Sequence, residues 1–239
     1  MNEKTEGIVI CATEYKDNRH IVRILTGTHG LLDFSVRTGR HTIVRTGHIQ
    51  LLTRVLISAD IRPSRSIHTL RECTPLDSSA SVAAHPVKAP VAMLLSEILR
   101  NVLHAAEADS STYSYISGSI DTYAALTRGI ANFHLIFLIG LTRCLGFFPN
   151  LSGFHDGVFF DLRESAFTSS QPLHTDYLSQ DESIIFANLL RADYSTMHLF
   201  SLSRIQRNTI LDRIMRYYSL HLPGFTEPKS LAILRTLWD

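Results

Sequence analysis

The sequence predicts an α+β chain in two parts: a small five-stranded β-barrel, then an all-helical domain carrying a short β-hairpin. Three observations carry that expectation. Residues 5–75 hold five short runs of alternating or β-branched apolar residues, separated by polar or glycine-bearing turns. From Pro90 onward the apolar period becomes that of a helix. Between the two lies a stretch with Pro75, Pro86 and Pro90 and with Ser78, Ser79 and Ser81, a connector by composition. The expected boundaries are a barrel over 1–76, a connector over 77–89 and a helical domain over 90–239, with the hairpin near 157–168.

The first strand spans Thr5 to Thr13 and contains Ile8, Val9 and Ile10; Glu14 to His20 reads as a polar connection. Ile21 to Thr26 is a second strand, closed by the tight turn Gly27-Thr28-His29-Gly30. In the third, Leu31 to Arg37, Leu32, Phe34 and Val36 share one face while Asp33, Ser35 and Arg37 share the other. Ile49, Leu51, Thr53, Val55 and Ile57 set the face of a fourth strand, and Ile67 to Cys73 makes a fifth. Five short strands need a closed arrangement to hide their edges, and an OB-type barrel is one solution.

In the helical part, Val91, Leu94, Leu95, Ile98, Leu99, Val102 and Leu103 fall at i, i+3, i+4 spacing, with Pro90 suited to the first turn. Tyr113, Ile116, Ile120, Tyr123 and Leu126 mark a second helix. Ala131 to Leu145 is apolar around most of its circumference and so is the central buried helix, stopped by Gly146 and Pro149. Gly157 to Leu162 and Ala166 to Thr168 fit a hairpin. Asp181 to Arg191, Ser203 to Leu220 (Ile205, Ile210, Ile214 and Tyr217 inward) and Glu227 to Trp238 complete the helices.

Composition excludes several classes. With 239 residues, 45% hydrophobic and 19% charged, the chain is globular and not disordered. Its longest apolar run, Leu135 to Leu141, is far short of the ~20 residues that span a bilayer. The N-terminus MNEKTEG has no signal-peptide core, so a soluble, cytoplasmic protein without a membrane partner is expected. Three widely spaced cysteines, Cys11, Cys73 and Cys144, form no CxxC pair, which argues against a disulfide framework and a cysteine zinc site. The twelve histidines show no metal-ligand spacing; His155-Asp156 and His174-x-Asp176 are weak pairs on expected loops. No nucleophile elbow, phosphate loop or dinucleotide fingerprint occurs. No catalytic residue, cofactor or metal is therefore assigned.

The basic residues carry more. Residues 1–75 hold 11 Lys/Arg against 7 Asp/Glu, and the remainder 12 against 15. Arg37, Arg40 and Arg45 share one connection with two glycines and no carboxylate between Asp33 and Asp60. Lys16 and Arg19 lie on the first connection, Arg62 and Arg65 on the last. On an OB barrel these connections flank the usual nucleic-acid face, so all seven are expected to meet phosphates there. Only two aromatics, Tyr15 and Phe34, occur in 1–75, and Phe34 belongs to the core face. That rules against a platform of several stacked bases and leaves backbone electrostatics dominant.

The chain also resembles the RecO recombination mediator family of bacteria, over nearly its whole length. The carriers are Thr5-Glu6-Gly7-Ile8-Val9, Phe34-Ser35-Val36-Arg37-Thr38-Gly39-Arg40, Cys144 to Leu151 (CLGFFPNL), Tyr217 to Phe225 (YYSLHLPGF) and Pro228-Lys229-Ser230-Leu231. The resemblance implies an N-terminal OB domain and a C-terminal helical domain in a non-enzymatic, nucleoid-associated DNA repair protein. It implies binding of single- and double-stranded DNA, annealing of complementary strands, and binding of the acidic C-terminal tail of the single-stranded DNA-binding protein (SSB). With RecR it implies help in loading RecA during gap and break repair. Such a tail needs an apolar pocket beside cations, for which Arg128, His134, Arg143, Arg204 and Arg207 are the candidates.

Two departures stand out. Many members carry a four-cysteine zinc motif where this chain reads Ser152-Gly153-Phe154-His155-Asp156-Gly157, so a zinc-less variant is expected, with the hairpin in its place. Thr38 stands where a glycine is common, which stiffens the basic loop. The competing expectation is a small enzyme using His155, Asp156 and His174 in the helical domain.

Overall fold

The computed structural model describes residues 2–16, 18–39, 42–62, 64–76, 80–103 and 108–236. It divides into two compact units, Met1–Ala125 with Pro228–Leu234 and Leu126–Glu227 with Arg235–Asp239.

The first unit is built on a closed barrel of β1 (Asn2–Lys16), β2 (Arg19–Thr26), β3 (Gly30–Arg37), β4 (Arg54–Asp60) and β5 (Ile67–Pro75), in the order β1-β2-β3-β5-β4. Only the β3–β5 pair is parallel. β1 bonds to both neighbours at one level, where Gly7 lies opposite Thr26 of β2 and Val55 of β4. A Cβ on Gly7 would stand 2.4 Å from Cγ2 of Ile24, so closure here requires glycine. The alternating residues fill the interior: Val9, Val22, Ile24, Phe34, Val36, Val55, Ile57 and Leu70 are buried. Ile8 and Ile10, on the other face of β1, are also fully buried, and β1 packs against α2 (Ala89–Val102). A run buried on both faces shows no alternation. The unit also contains α1 (Ala80–Ala84) and α3 (Ser110–Ala125), whose start is capped by Asp109 accepting from the Ser111 and Thr112 N–H groups.

Two expectations for the barrel change. The polar run Glu14 to His20 is not a long connection: β1 and β2 continue to Lys16 and Arg19, joined through Asn18 at φ 59. The fourth strand does not begin at Ile49. Residues Thr46–Ile49 form a 3-10 turn, Leu52 is left-handed at φ 56, and pairing starts at Arg54.

In the second unit α4 (Phe133–Cys144) is buried around nearly its whole circumference and packs against α5 (Gln180–Arg191) and α6 (Arg204–His221). Gly146, at φ 83, ends α4: its N–H reaches the Arg143 carbonyl, and Phe147 N–H reaches that of Thr142. Capping boxes start the other two, Ser179 with Glu182 and Ser203 with Gln206. The expected hairpin is β6 (Phe159–Asp161) with β7 (Ala166–Thr168), and β8 (Tyr177–Leu178) adds a third strand on β6. Ile205 was expected inward but is 79% exposed. It lies five residues before Ile210, off the 3.6-residue stripe that faces α4. The last helix, α7, is short (Leu231–Arg235) and all of it but Arg235 belongs to the first unit; residues 237–239 lie outside the described ones.

Candidate nucleic-acid interface

Strand register decides which cations meet. Lys16 pairs with Arg19 across the β1–β2 hairpin, and Arg19 pairs with Arg37 across β2–β3. Three cations from three strands thus line one hollow of about 260 Å³, together with Tyr15. Lys16, Arg19 and Arg37 are exposed, and none forms an ion pair with a carboxylate among the described residues. The hairpin is fixed to the end of β3 by Thr38, whose N–H donates to the Asn18 carbonyl at 2.9 Å and whose hydroxyl lies 3.2 Å from His20 Nδ1. Thr38 is 4% exposed and serves as an anchor. Sequence reasoning missed this hairpin. Its signal was Asp17-Asn18, a dipeptide suited to a two-residue turn with a left-handed residue.

The remaining candidates do not join that group. β5 starts at Ile67 beside Asp33 and runs parallel to β3, so the connection carrying Arg62 and Arg65 precedes the level of Asp33. Arg37 is four residues further along β3, about 13 Å away at ~3.3 Å per residue. Arg62 already meets Asp60, with Nη2 to Oδ2 at 2.8 Å, and its N–H donates to His68 Nδ1 at 3.2 Å. Burial pushes the His68 pKa down, which keeps that nitrogen free to accept. Between the two groups Arg23 donates to both oxygens of Asp33, each at 2.8 Å, so the middle of the outward β2–β3 face is neutralised. Arg65 is exposed, as is Arg45 at the entry to the 3-10 turn. Arg40 lies outside the described residues.

Residues 1–79 match the family model described as Recombination protein O N terminal, and residues 86–232 match the one described as Recombination protein O C terminal. The chain belongs to the RecO family. Curated relatives agree over full length. The chain is 35% identical over 241 residues to a protein named DNA repair protein RecO from Phocaeicola vulgatus, covering 100% of both. It is 36% identical over 242 residues to the protein of that name from Bacteroides fragilis, again covering 100% of both. The Porphyromonas gingivalis protein of that name is 29% identical over 242 residues, covering 98% of each.

The five cations expected from the sequence to meet an acidic tail fall into two kinds. Arg128 is exposed beside Gly129, and Arg143 is exposed with its guanidinium 4.0 Å from the centroid of the Phe148 ring. Arg204 is exposed and donates to the Arg235 carbonyl at 3.1 Å. Arg207 and His134 are interior groups. Arg207 is 9% exposed and donates to Asn132 Oδ1 and to the Leu202 carbonyl. His134 is 1% exposed, and burial, with Arg207 opposing a second positive charge, pushes its pKa down to about 3. It is a neutral ring in the core at ordinary pH and offers no surface charge. The two histidines of the enzyme reading meet different partners. His155 Nδ1 lies 3.0 Å from the Asp156 backbone carbonyl, while His174 Nε2 lies 3.2 Å from Asp161 Oδ2. Among the described residues no group of three or more His, Cys, Asp or Glu could hold a metal, and no helix is long and apolar enough to cross a membrane.

Proposed function

We propose that this RecO-family chain is a DNA-binding recombination mediator in DNA repair. It anneals complementary strands and, with RecR, helps load RecA on SSB-coated single-stranded DNA in gap and break repair. The observation that carries this reading is the meeting of Lys16, Arg19 and Arg37 at one end of the barrel, without carboxylate partners among the described residues. Guanidinium and ammonium groups held this way release condensed counterions from phosphates and bind without reading sequence. That suits a protein that must accept any strand, single or double. Arg45, Arg65 and Arg62 extend the phosphate track, Arg40 being assigned to it from the sequence alone. The names of the full-length relatives support the repair role.

The SSB tail, acidic and ending in an aromatic residue with a free carboxylate, is assigned to the helical unit. Arg143 over Phe148 offers a cation beside an apolar ring, the chemistry such a terminus needs. Arg128 and Arg204 are the further exposed candidates. The work is binding without chemical turnover. The test is annealing of SSB-coated complementary strands by the purified protein. Annealing faster than the spontaneous rate, lost when SSB lacks its tail, is the expected result; equal rates with and without the protein overturn the reading.

A further inference from the structure

The β1–β2 register shifts between Glu14 and Lys16: Glu14 pairs with His20 and Lys16 with Arg19. Two steps on β1 match one on β2, so Tyr15 is the extra residue of a β-bulge. In a regular strand Tyr15 and Lys16 would face opposite sides of the sheet. The bulge instead lets both line the hollow with Arg19 and Arg37. Tyr15 is 68% exposed, and the bulge leaves its ring out of the barrel core. The ring thus lies exposed beside three cations.

We propose that Tyr15 is a one-base stacking seat, which takes a single unpaired nucleobase while Lys16, Arg19 and Arg37 hold the phosphates beside it. The proposal rests on the reading of this end of the barrel as a DNA surface, and adds a preference to it. Cations alone bind any phosphate backbone, duplex or single strand. A ring beside them adds affinity only for a strand whose base is free to turn out of a stack. The residue therefore biases an otherwise indiscriminate surface toward single strands. One seat fits the scarcity of aromatics in the barrel: Phe34 is fully buried in the core, and among described residues only Tyr15 can serve.

The test compares short oligothymidylate with an abasic strand of the same length, which keeps the phosphates and lacks the bases. The probes are wild type, Tyr15→Ala, Tyr15→Phe and the triple change Lys16→Ala, Arg19→Ala, Arg37→Ala. Wild type should prefer the base-bearing strand, and Tyr15→Ala should bind it roughly 5- to 150-fold more weakly, the range for loss of one stacked base. Its affinity for the abasic strand and its salt slope should not change, and Tyr15→Phe should behave as wild type. If Tyr15→Ala binds both strands as wild type does, the seat is refuted. If the triple variant also binds both as wild type does, with an unchanged salt slope, the DNA surface itself lies elsewhere. A triple variant that weakens on both strands, beside an unaffected Tyr15→Ala, refutes the seat alone.

Discussion

Arg216 on α6 holds Asp176, just before β8, through two hydrogen bonds: Nε to Oδ1 at 2.7 Å and Nη2 to Oδ2 at 3.2 Å. Arg163 takes the same carboxylate from the other side at 2.7 Å, and Asp176 is 5% exposed. The Asp176 N–H donates to His174 Nδ1 at 3.2 Å, and the other nitrogen of that ring meets Asp161 of β6. A short sheet too small to bury a core of its own is thus tied to α6 by charge-assisted bonds. The sheet and its connections contain no cysteine.

Asp176→Asn should therefore destabilise the second unit by about 1.5–3 kcal/mol, since it weakens bonds to two guanidinium groups. The effect has a pH signature. The Arg216 and Arg163 hydrogen bonds lower the Asp176 pKa to about 2. A depressed carboxylate contributes fully above its unfolded value of ~3.9 and loses that contribution as pH falls through the folded value. Thermal unfolding of wild type and variant should differ most above pH ~4 and converge toward about pH 2. A gap of constant size over that range would mean the carboxylate acts by packing alone.

His134 predicts acid sensitivity of the same sign in a higher pH window. Its neutral ring is buried with Nδ1 unpartnered, and its pKa lies at about 3. The unfolded chain binds a proton near pH 6.5 that the folded chain refuses, so stability falls as pH drops from ~6.5 toward about 3. At ~1.4 kcal/mol per pH unit the loss by pH 5 is about 2 kcal/mol. His134→Leu removes both the orphan nitrogen and this dependence, and should leave affinity for an SSB tail peptide unchanged. Urea midpoints of the two proteins at pH 7 and pH 5 decide it: equal shifts in both would clear His134 of any part.

The barrel was legible where a strand buries one face, as in β3, where Phe34 and Val36 alternate with Asp33, Ser35 and Arg37. The hairpin at Asn18 was not, because both faces of Glu14 to Lys16 meet solvent and no apolar residue records the pairing. The cations were legible as residue types but not as a group. Register, set by a bulge at Tyr15, decides that Lys16 meets Arg19 and Arg37 while Arg62 does not. The 3-10 turn before β4 was hidden because Ile49 and Leu52 are buried there as they would be in a strand. His134 and Arg207 show why a helix-borne cation is a weak signal: α4 is enclosed, and sequence does not say which arginine reaches the surface.

Zinc should not bind stoichiometrically. Cys73 is 2% exposed with its thiol pushed up to about 12 by burial, so it is no thiolate. Metal analysis of chelator-washed protein should return well below one zinc per chain, with an unchanged melting temperature. One tightly held zinc would mean that histidines and carboxylates have rebuilt a site.

The two groups of barrel cations make the final prediction. Lys16, Arg19 and Arg37 lie at one end of the outward β2–β3 face, Arg62 and Arg65 beyond the level of Asp33. A strand that runs the length of this face would meet both groups in turn. For single-stranded DNA each lost phosphate contact flattens the salt slope by ~0.7. Changing Lys16, Arg19 and Arg37 together to Ala should lower it by up to ~2, and changing Arg65 alone by up to ~0.7. Arg62→Ala should do less than Arg65→Ala, because its guanidinium already neutralises Asp60. The two ends share no partner, so their effects should add when combined. If the triple change alone removes the whole salt dependence, DNA touches one end only, and the path leaves the barrel over the β1–β2 hairpin without crossing the face.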